Sequence, residues 1–454
     1  MESVVNRGHW GSKLGFILAA AGSAIGLGNI WKFPYIAGEN GGGLFVVIYL
    51  VCIALVGLPI LLAEVLLGRT TQQSPVGAFR ALSRPRSAWL GVGWLGVLSA
   101  FVILSFYSVV AGWAMHYTYL SFSGAFSVYD PEILPEVFSQ LSANPWINSF
   151  WHILFMGLTV AIVIAGVHKG VERWAEILMP LMFGMLLIML GSALVLDGFG
   201  DAVTFLFSFR AENLTPAGVL EALGHSFFTL SVGMGAMITY GSYLHRRDDA
   251  VGSSILIAGF DTLIALIACL VLFPITFTYG MAPTAGPGLV FVSLPIAFAR
   301  MPAGGMLASI FFILLTFAAL TSAISLLEVA TAYFIDERGW ARRKATLFTG
   351  GLIILLGIPS AMSGSETFFN EGMRALVGRT WFDLFDQLSS RWMLPLGGLG
   401  IAIFVSWRVG HQARYEAFMA GTRLGKLYWG WIYLLKYLVP IGVLAIFLHA
   451  IGVV

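Results

Sequence analysis

The sequence predicts an all-α integral membrane protein of about eleven transmembrane helices: a five-plus-five inverted repeat with helices one and six broken, plus one extra helix. Three observations predict it. Of 454 residues, 58% are hydrophobic and 11% charged, whereas soluble domains carry about 25% charged residues, so most of the surface must face lipid. Eleven apolar stretches reach the roughly 20 residues that a helix needs to cross about 30 Å of hydrocarbon. Glycine interrupts two of them at corresponding places in the two halves.

Taken in order, the stretches are 13–37, 42–69, 90–122, 147–165, 172–197, 217–241, 250–280, 305–334, 345–362, 391–408 and 428–451. The chain forms one transmembrane domain, with repeat one over 10–197, repeat two over 217–408 and the additional helix over 428–451. With the N-terminus in the cytoplasm, 18 of the 25 Lys and Arg fall on the inner side, as the positive-inside rule requires. Eleven spans then leave the C-terminus outside a cell inner (plasma) membrane. The long outer connections, 123–146, 198–216, 281–304 and 363–390, hold short amphipathic pieces and Pro/Gly turns. Arg7, Lys13 and Ala19-Ala20-Ala21 imitate a cleavable leader. The apolar run continues through Phe33-Pro34, so it is read as the first span of the mature protein. A net charge of +2 gives no reason to expect a nucleic-acid partner, and Cys52 and Cys269 build neither a disulfide framework nor a zinc site.

The interruptions carry the chemistry. Span one contains Gly22-Ser23-Ala24-Ile25-Gly26-Leu27-Gly28-Asn29 and span six contains Ser231-Val232-Gly233-Met234-Gly235. Gly22 and Gly26 also fit a small-xxx-small packing face. Paired breaks flanked by Ser23, Asn29, Thr229 and Ser231 favour a binding site at the midplane, because such polar groups are costly in lipid without partners. A half-helix that starts after a break offers free N–H groups to an anion, here near Gly26, Leu27 and Gly28. One that ends before a break offers carbonyls to a cation, here near Phe228 and Thr229. A zwitterion fits both ends at once, and an α-amino acid is the simplest. Sodium can use released carbonyls with Asn, Thr and Ser oxygens, and span eight adds Thr321-Ser322, although such hydroxyls often bond their own helix. Glu64, Asp261 and Glu328 each require a buried partner, a metal or a proton role. His225, one turn before Thr229, reads as a hydrogen-bonded structural group or a tuning group.

At these residues the chain resembles the neurotransmitter:sodium symporters, in particular their bacterial amino-acid members with eleven spans and short termini. The resemblance runs from Trp10 to span eleven through Ala21–Asn29 with Phe33-Pro34, Glu39-Asn40-Gly41-Gly42-Gly43, Gly57-Leu58-Pro59 with Glu64, Lys169-Gly170-Val171-Glu172-Arg173, Phe227–Ser231 and Leu320-Thr321-Ser322. It implies import of neutral, hydrophobic or aromatic L-amino acids with sodium by alternating access. It also implies a non-enzymatic protein without organic cofactor, working as a monomer or weak homodimer in the lipid bilayer.

The resemblance implies two sodium ions. Site one would use Ala24, Asn29, Thr229, Asp261 and the substrate carboxylate; site two would use Gly22, Ile25, Ala318, Thr321 and Ser322. The substrate would lie among Ser23, Ala24, Gly26, Leu27, Ile103, Tyr107, Val110, Phe228, Thr229, Ser231, Met234, Ser322 and Leu326. Met234 is a flexible thioether that can reshape around differing side chains. Lys32 and Asp386 would close the outer gate above Tyr107 and Phe228, with Lys where most of the family carries the bidentate Arg. Arg7, Trp10, Tyr243 and Asp336 would latch the inner one. The stretch from Gly170 to Pro180, which some bacterial members unwind, can equally hold a static kink.

Asp261 departs from the chloride-requiring members, which have a neutral Asn there. The surrounding positions are Tyr49, His225, Thr229 and Ala265. A fixed carboxylate predicts chloride-independent transport, with Asp261 open to a proton on the empty return step. The rival expectations are a proton-coupled amino-acid transporter of the same fold, a channel, and a non-transporting amino-acid sensor. Isolated polar points rather than a continuous polar stripe argue against the channel.

Overall fold

In the computed structural model, described for residues 8–84, 86–128, 132–208, 215–281, 288–365 and 368–450, every regular element is a helix. Nine helices among the described residues are long and apolar enough to cross a bilayer, and a bent pair, Lys13–Ala24 and Gly28–Glu39, makes a tenth span. The pair turns by 48° at its break. Span six is in two pieces, Pro216–Thr229 and Ala236–Gly241, each too short to cross alone. A length criterion therefore counts ten where the glycine pattern counts eleven.

The remaining spans are Gly43–Thr71, Leu90–Phe122, Pro145–Ile164, Val167–Ala193, Ala250–Thr278, Gly304–Arg338, Arg342–Ala361, Trp381–Arg408 and Gly425–His449, numbered two to five and seven to eleven. Span ten starts well before residue 391, because Asp383, Asp386 and Gln387 hide its amphipathic first turns from a hydropathy reading. Side-chain oxygens stop the helices at their starts, where free amides collect. Ser12 accepts the Gly15 amide at 2.8 Å, Thr215 that of Gly218 at 3.1 Å, and Asp249 that of Gly252 at 2.9 Å.

Spans three and eight form the interior. Within the most apolar stretch of each, 78% of residues are buried, against 33% in spans five and eleven. Span eight packs along span three and also meets the first half of span one and the second half of span six. Span seven packs on both halves of span one and on span five. The broken helices are thus enclosed by protein, the condition under which irregular backbone is tolerated at membrane depth.

The two breaks differ in their backbone. In span one the chain turns extended at Ile25 (φ −75°, ψ 97°). In span six it passes through left-handed conformations at Ser231 (φ 52°), Gly233 (φ 86°) and Gly235 (φ 74°). Gly233 has no alternative, since a Cβ there would lie 2.3 Å from the Leu394 carbonyl oxygen. Short helices Leu134–Ala143, Phe199–Phe207, Leu289–Arg300 and Phe368–Val377 fill the connections at the end of the bundle that carries Lys32.

Candidate functional site

The breaks face one another across a small cavity lined by residues of spans one, three, six and eight. Unwinding frees backbone groups here, and side chains from distant spans take them up. The Ser231 hydroxyl of span six donates to the Ser23 carbonyl at 2.8 Å, and the Ser322 hydroxyl of span eight donates to the same oxygen at 3.1 Å and to Gly22 at 3.4 Å. The Leu27 amide donates to the Tyr107 hydroxyl at 3.2 Å, and the Gly26 amide to Asn29 Oδ1 at 3.1 Å. A Cβ on Gly26 would lie 2.4 Å from Ser322 Oγ and 2.9 Å from the Tyr107 oxygen, so any larger residue there must displace those two hydroxyls.

Beside the cavity, Asp261 is fully buried on span seven. Asn29 Nδ2 donates to its Oδ1 at 2.7 Å and its backbone carbonyl at 3.0 Å, and the Thr229 hydroxyl lies 3.0 Å from Oδ1. Tyr49 and His225 border this cluster, their rings 5.7 Å apart, with the His225 ring stacked on Phe33 at 5.8 Å. Neither His225 ring nitrogen has a hydrogen-bond partner among the described residues. The structural hydrogen bond expected of His225 is therefore not made.

The expected substrate residues are brought together with three exceptions. Leu27, Val110 and Thr229 are buried but do not line the cavity, whereas Gly28 does. Ile103 and Tyr107 lie one turn apart on the wall, and the next turn of span three carries Val110 past it. Gly28 had no signal beyond its place in the glycine run, and Ser325, whose hydroxyl is 2.7 Å from that of Ser23, had none.

Of the residues expected at the second sodium position, Ser322 Oγ donates to Gly22 O at 3.4 Å, linking spans one and eight, whereas the Thr321 hydroxyl bonds its own helix, at 3.0 Å to the Ala318 carbonyl and 3.2 Å to that of Phe317. Thr321 Cβ lies 3.2 Å from where a Gly22 Cβ would be. Ile25 is buried at the break itself.

Above the cavity, Phe228 separates it from a wider vestibule lined by Lys32, Glu221, His225, Asp386 and Arg391, among others. Lys32 Nζ stands 3.8 Å from Asp386 and 4.7 Å from the centre of the Phe228 ring. At the opposite end, the Trp10 ring N–H donates to the Tyr240 carbonyl at 2.9 Å and its amide to the Tyr243 carbonyl at 3.2 Å. Asp336 accepts the Ser74 amide at 2.6 Å. The Tyr243 hydroxyl donates to Glu328 at 2.5 Å, and Glu328 pairs with Arg342. Arg7 lies outside the described residues.

Glu64, another buried acid, has backbone partners: it accepts the Gly233 amide at 2.6 Å and the Ile238 amide at 3.4 Å. It thereby answers the free N–H groups at the start of the second half of span six. The stretch from Gly170 to Pro180 is helical throughout, beginning in a π-turn over Val167–Glu172 and continuing as Arg173–Ala193.

A helical bundle with two broken spans and a buried cavity between the breaks has the architecture of a membrane transporter. The comparisons with known proteins make this specific. The profile of the sodium:neurotransmitter symporter family matches residues 7–130 and 146–454, and the chain belongs to that family. It is 38% identical over 445 residues to the uncharacterised sodium-dependent transporter YhdH of Bacillus subtilis, covering 98% of each chain. An uncharacterised sodium-dependent transporter of Haemophilus influenzae is 33% identical, with 97% of each chain covered. The crystal structure of MhsT in complex with L-phenylalanine superposes with a TM-score of 0.89 at 43% identity, over 98% of this chain and 100% of that one. The protein is thus a multi-pass, sodium-dependent membrane transporter.

Proposed function

We propose that this protein imports neutral hydrophobic or aromatic L-amino acids together with two sodium ions, by alternating access across the cell inner membrane, with its N-terminus in the cytoplasm. The carrying observation is that residues flanking both breaks, Ser23, Ala24, Gly26 and Gly28 of span one with Phe228, Ser231 and Met234 of span six, line one cavity. The substrate carboxylate meets the Gly26 and Leu27 amides and the Tyr107 hydroxyl. Its ammonium meets the carbonyls of Ala24, Phe228 and Thr229 and the Ser231 hydroxyl. Ile103, Phe228, Met234 and Leu326 give an apolar wall, and the resemblance in fold to a protein crystallised with L-phenylalanine supports an apolar side chain.

The donor set suits sodium, a hard cation that prefers oxygen. Ala24, Asn29, Thr229 and Asp261 would hold the first ion, and Gly22, Ile25, Ala318, Thr321 and Ser322 the second. A bound cation supplies positive charge that lowers the cost of burying the substrate carboxylate, and the carboxylate does the same for the cation. Asp261 brings the fixed negative charge that makes chloride unnecessary. Lys32 and Asp386 sit above Phe228 as the outer gate. Trp10, Tyr243 and Asp336, with Arg7, form the inner latch.

Sodium-dependent binding competition across the twenty amino acids on purified protein tests this reading. Apolar side chains are expected to compete and charged ones to fail; equal binding with and without sodium would refute the coupling. Uptake into proteoliposomes is expected to be indifferent to chloride, and a several-fold rise with chloride would remove Asp261 from its assigned role.

A further inference from the structure

Span five opens on a wide turn. Gly166 (φ 100°) precedes it and Val167–Glu172 is π-helical. Seven such π-turns occur among the described residues, and what sets this one apart is the side chain it places. This one buries a carboxylate: Glu172 is 1% exposed. Its Oε2 accepts the Gly11 amide at 2.8 Å and lies 2.6 Å from Nδ1 of His168, and its Oε1 accepts the Ser12 amide at 3.0 Å and faces the Ser12 hydroxyl at 3.4 Å. A buried carboxylate is tolerated when its oxygens are satisfied in this way. Two of these donors are backbone amides just before the first turn of span one, where unpaired N–H groups and the positive helix end attract an anion.

The contact continues along both helices in one register. A Cβ on Gly15 would lie 2.0 Å from Glu172 Oε1, and a Cβ on Gly22 would lie 3.1 Å from Met179 Sδ. Gly15 and Gly22 are separated by the same two helical turns as Glu172 and Met179. Pro180 follows at once and deprives the Glu176 carbonyl of its amide partner. The segment from Glu172 to Met179 is therefore bounded by a π-turn and a proline, and it touches span one at both ends. From the other side, Trp10 is bonded to Tyr240 of span six and to Tyr243 in the turn that follows it.

We infer that Glu172 is a positioning residue for the inner closure. It ties the Gly11 and Ser12 amides to the π-turn of span five, so the first half of span one leaves the site only when that turn moves with it. This rests on the alternating-access reading above.

The test is hydrogen–deuterium exchange of the full chain in nanodiscs, alongside amino-acid binding at low and high sodium. Glu172→Gln keeps the volume but sets an NH2 group against donors. Amides of residues 9–16 are expected to exchange about tenfold faster, with spans three and eight unchanged. The exposed Glu176→Gln is expected to change nothing. Apparent amino-acid affinity is expected to fall about fivefold at low sodium and to recover at high sodium, because sodium restores the closed population that the tie had favoured. Unchanged exchange in the folded variant overturns the proposal. So does faster exchange with no sodium-rescued affinity loss, which would leave Glu172 a helix cap only. If Glu172→Gln does not fold, Gly11→Pro deletes one amide donor against the exposed His168 ring, with the same outcomes expected. Should the wild type bind no amino acid, the proposed function fails, while the exchange comparison still reads the tie.

Discussion

Asp261 shows how much one side chain can concentrate. It is wholly buried and held by Asn29 and Thr229, each from a different broken span. Asp261→Asn keeps the shape and removes the charge, so uptake by the variant is expected to become chloride-dependent, checked by exchanging chloride for gluconate in proteoliposome assays. Asn29→Ala is expected to abolish sodium-dependent amino-acid binding while the protein stays folded, as read by size-exclusion profile and scintillation binding; retained affinity would remove Asn29 from the first sodium site. Gly26→Ala places a methyl against Ser322 and Tyr107, and amino-acid affinity is expected to drop at least about tenfold, the scale of one lost polar contact. These residues stand out in the sequence because polar groups and glycines are conspicuous against apolar spans. That Gly28 lines the cavity and Val110 does not follows from the curvature of the wall, which residue type along one helix does not describe.

At the level of elements, span six is the one that length alone cannot find. The break between its halves runs through three residues with positive φ, Ser231, Gly233 and Gly235, and Glu64 of span two answers the amides that the break releases. Gly233→Ala would force a Cβ into a left-handed position against the Leu394 carbonyl. A loss of about 1–3 kcal/mol is expected from backbone strain alone, measurable as a lower thermal-unfolding midpoint in detergent. No change would mean that the break relaxes freely. The glycine pattern announced where the chain breaks. It was silent on the partner of Glu64, which comes from 169 residues away.

Across the whole molecule, the buried pair of Glu328 and Arg342 joins spans eight and nine, with Arg342 also donating to the Val163 carbonyl of span four at 3.0 Å. Tyr243 brings the turn after span six to the same carboxylate. Arg342→Ala strands a charge and is expected to cost about 3–5 kcal/mol. The double variant with Glu328→Gln is expected to recover part of it, as measured by denaturant unfolding of the two proteins side by side. Additive losses would show that the two side chains do not act as a pair.

Hydropathy, basic-residue placement and paired glycine runs are properties of the linear chain, so the helical class, the run of spans and the two broken helices could be read before any coordinates. Which groups meet could not. The Ser322 hydroxyl reaches the Ser23 carbonyl across 299 residues, Glu172 reaches Gly11 across 161, and Tyr243 chooses Glu328. Those choices follow from how helices of similar apolar character pack against one another. Packing is set by shape and by the need to satisfy each buried polar group, and no local periodicity encodes it.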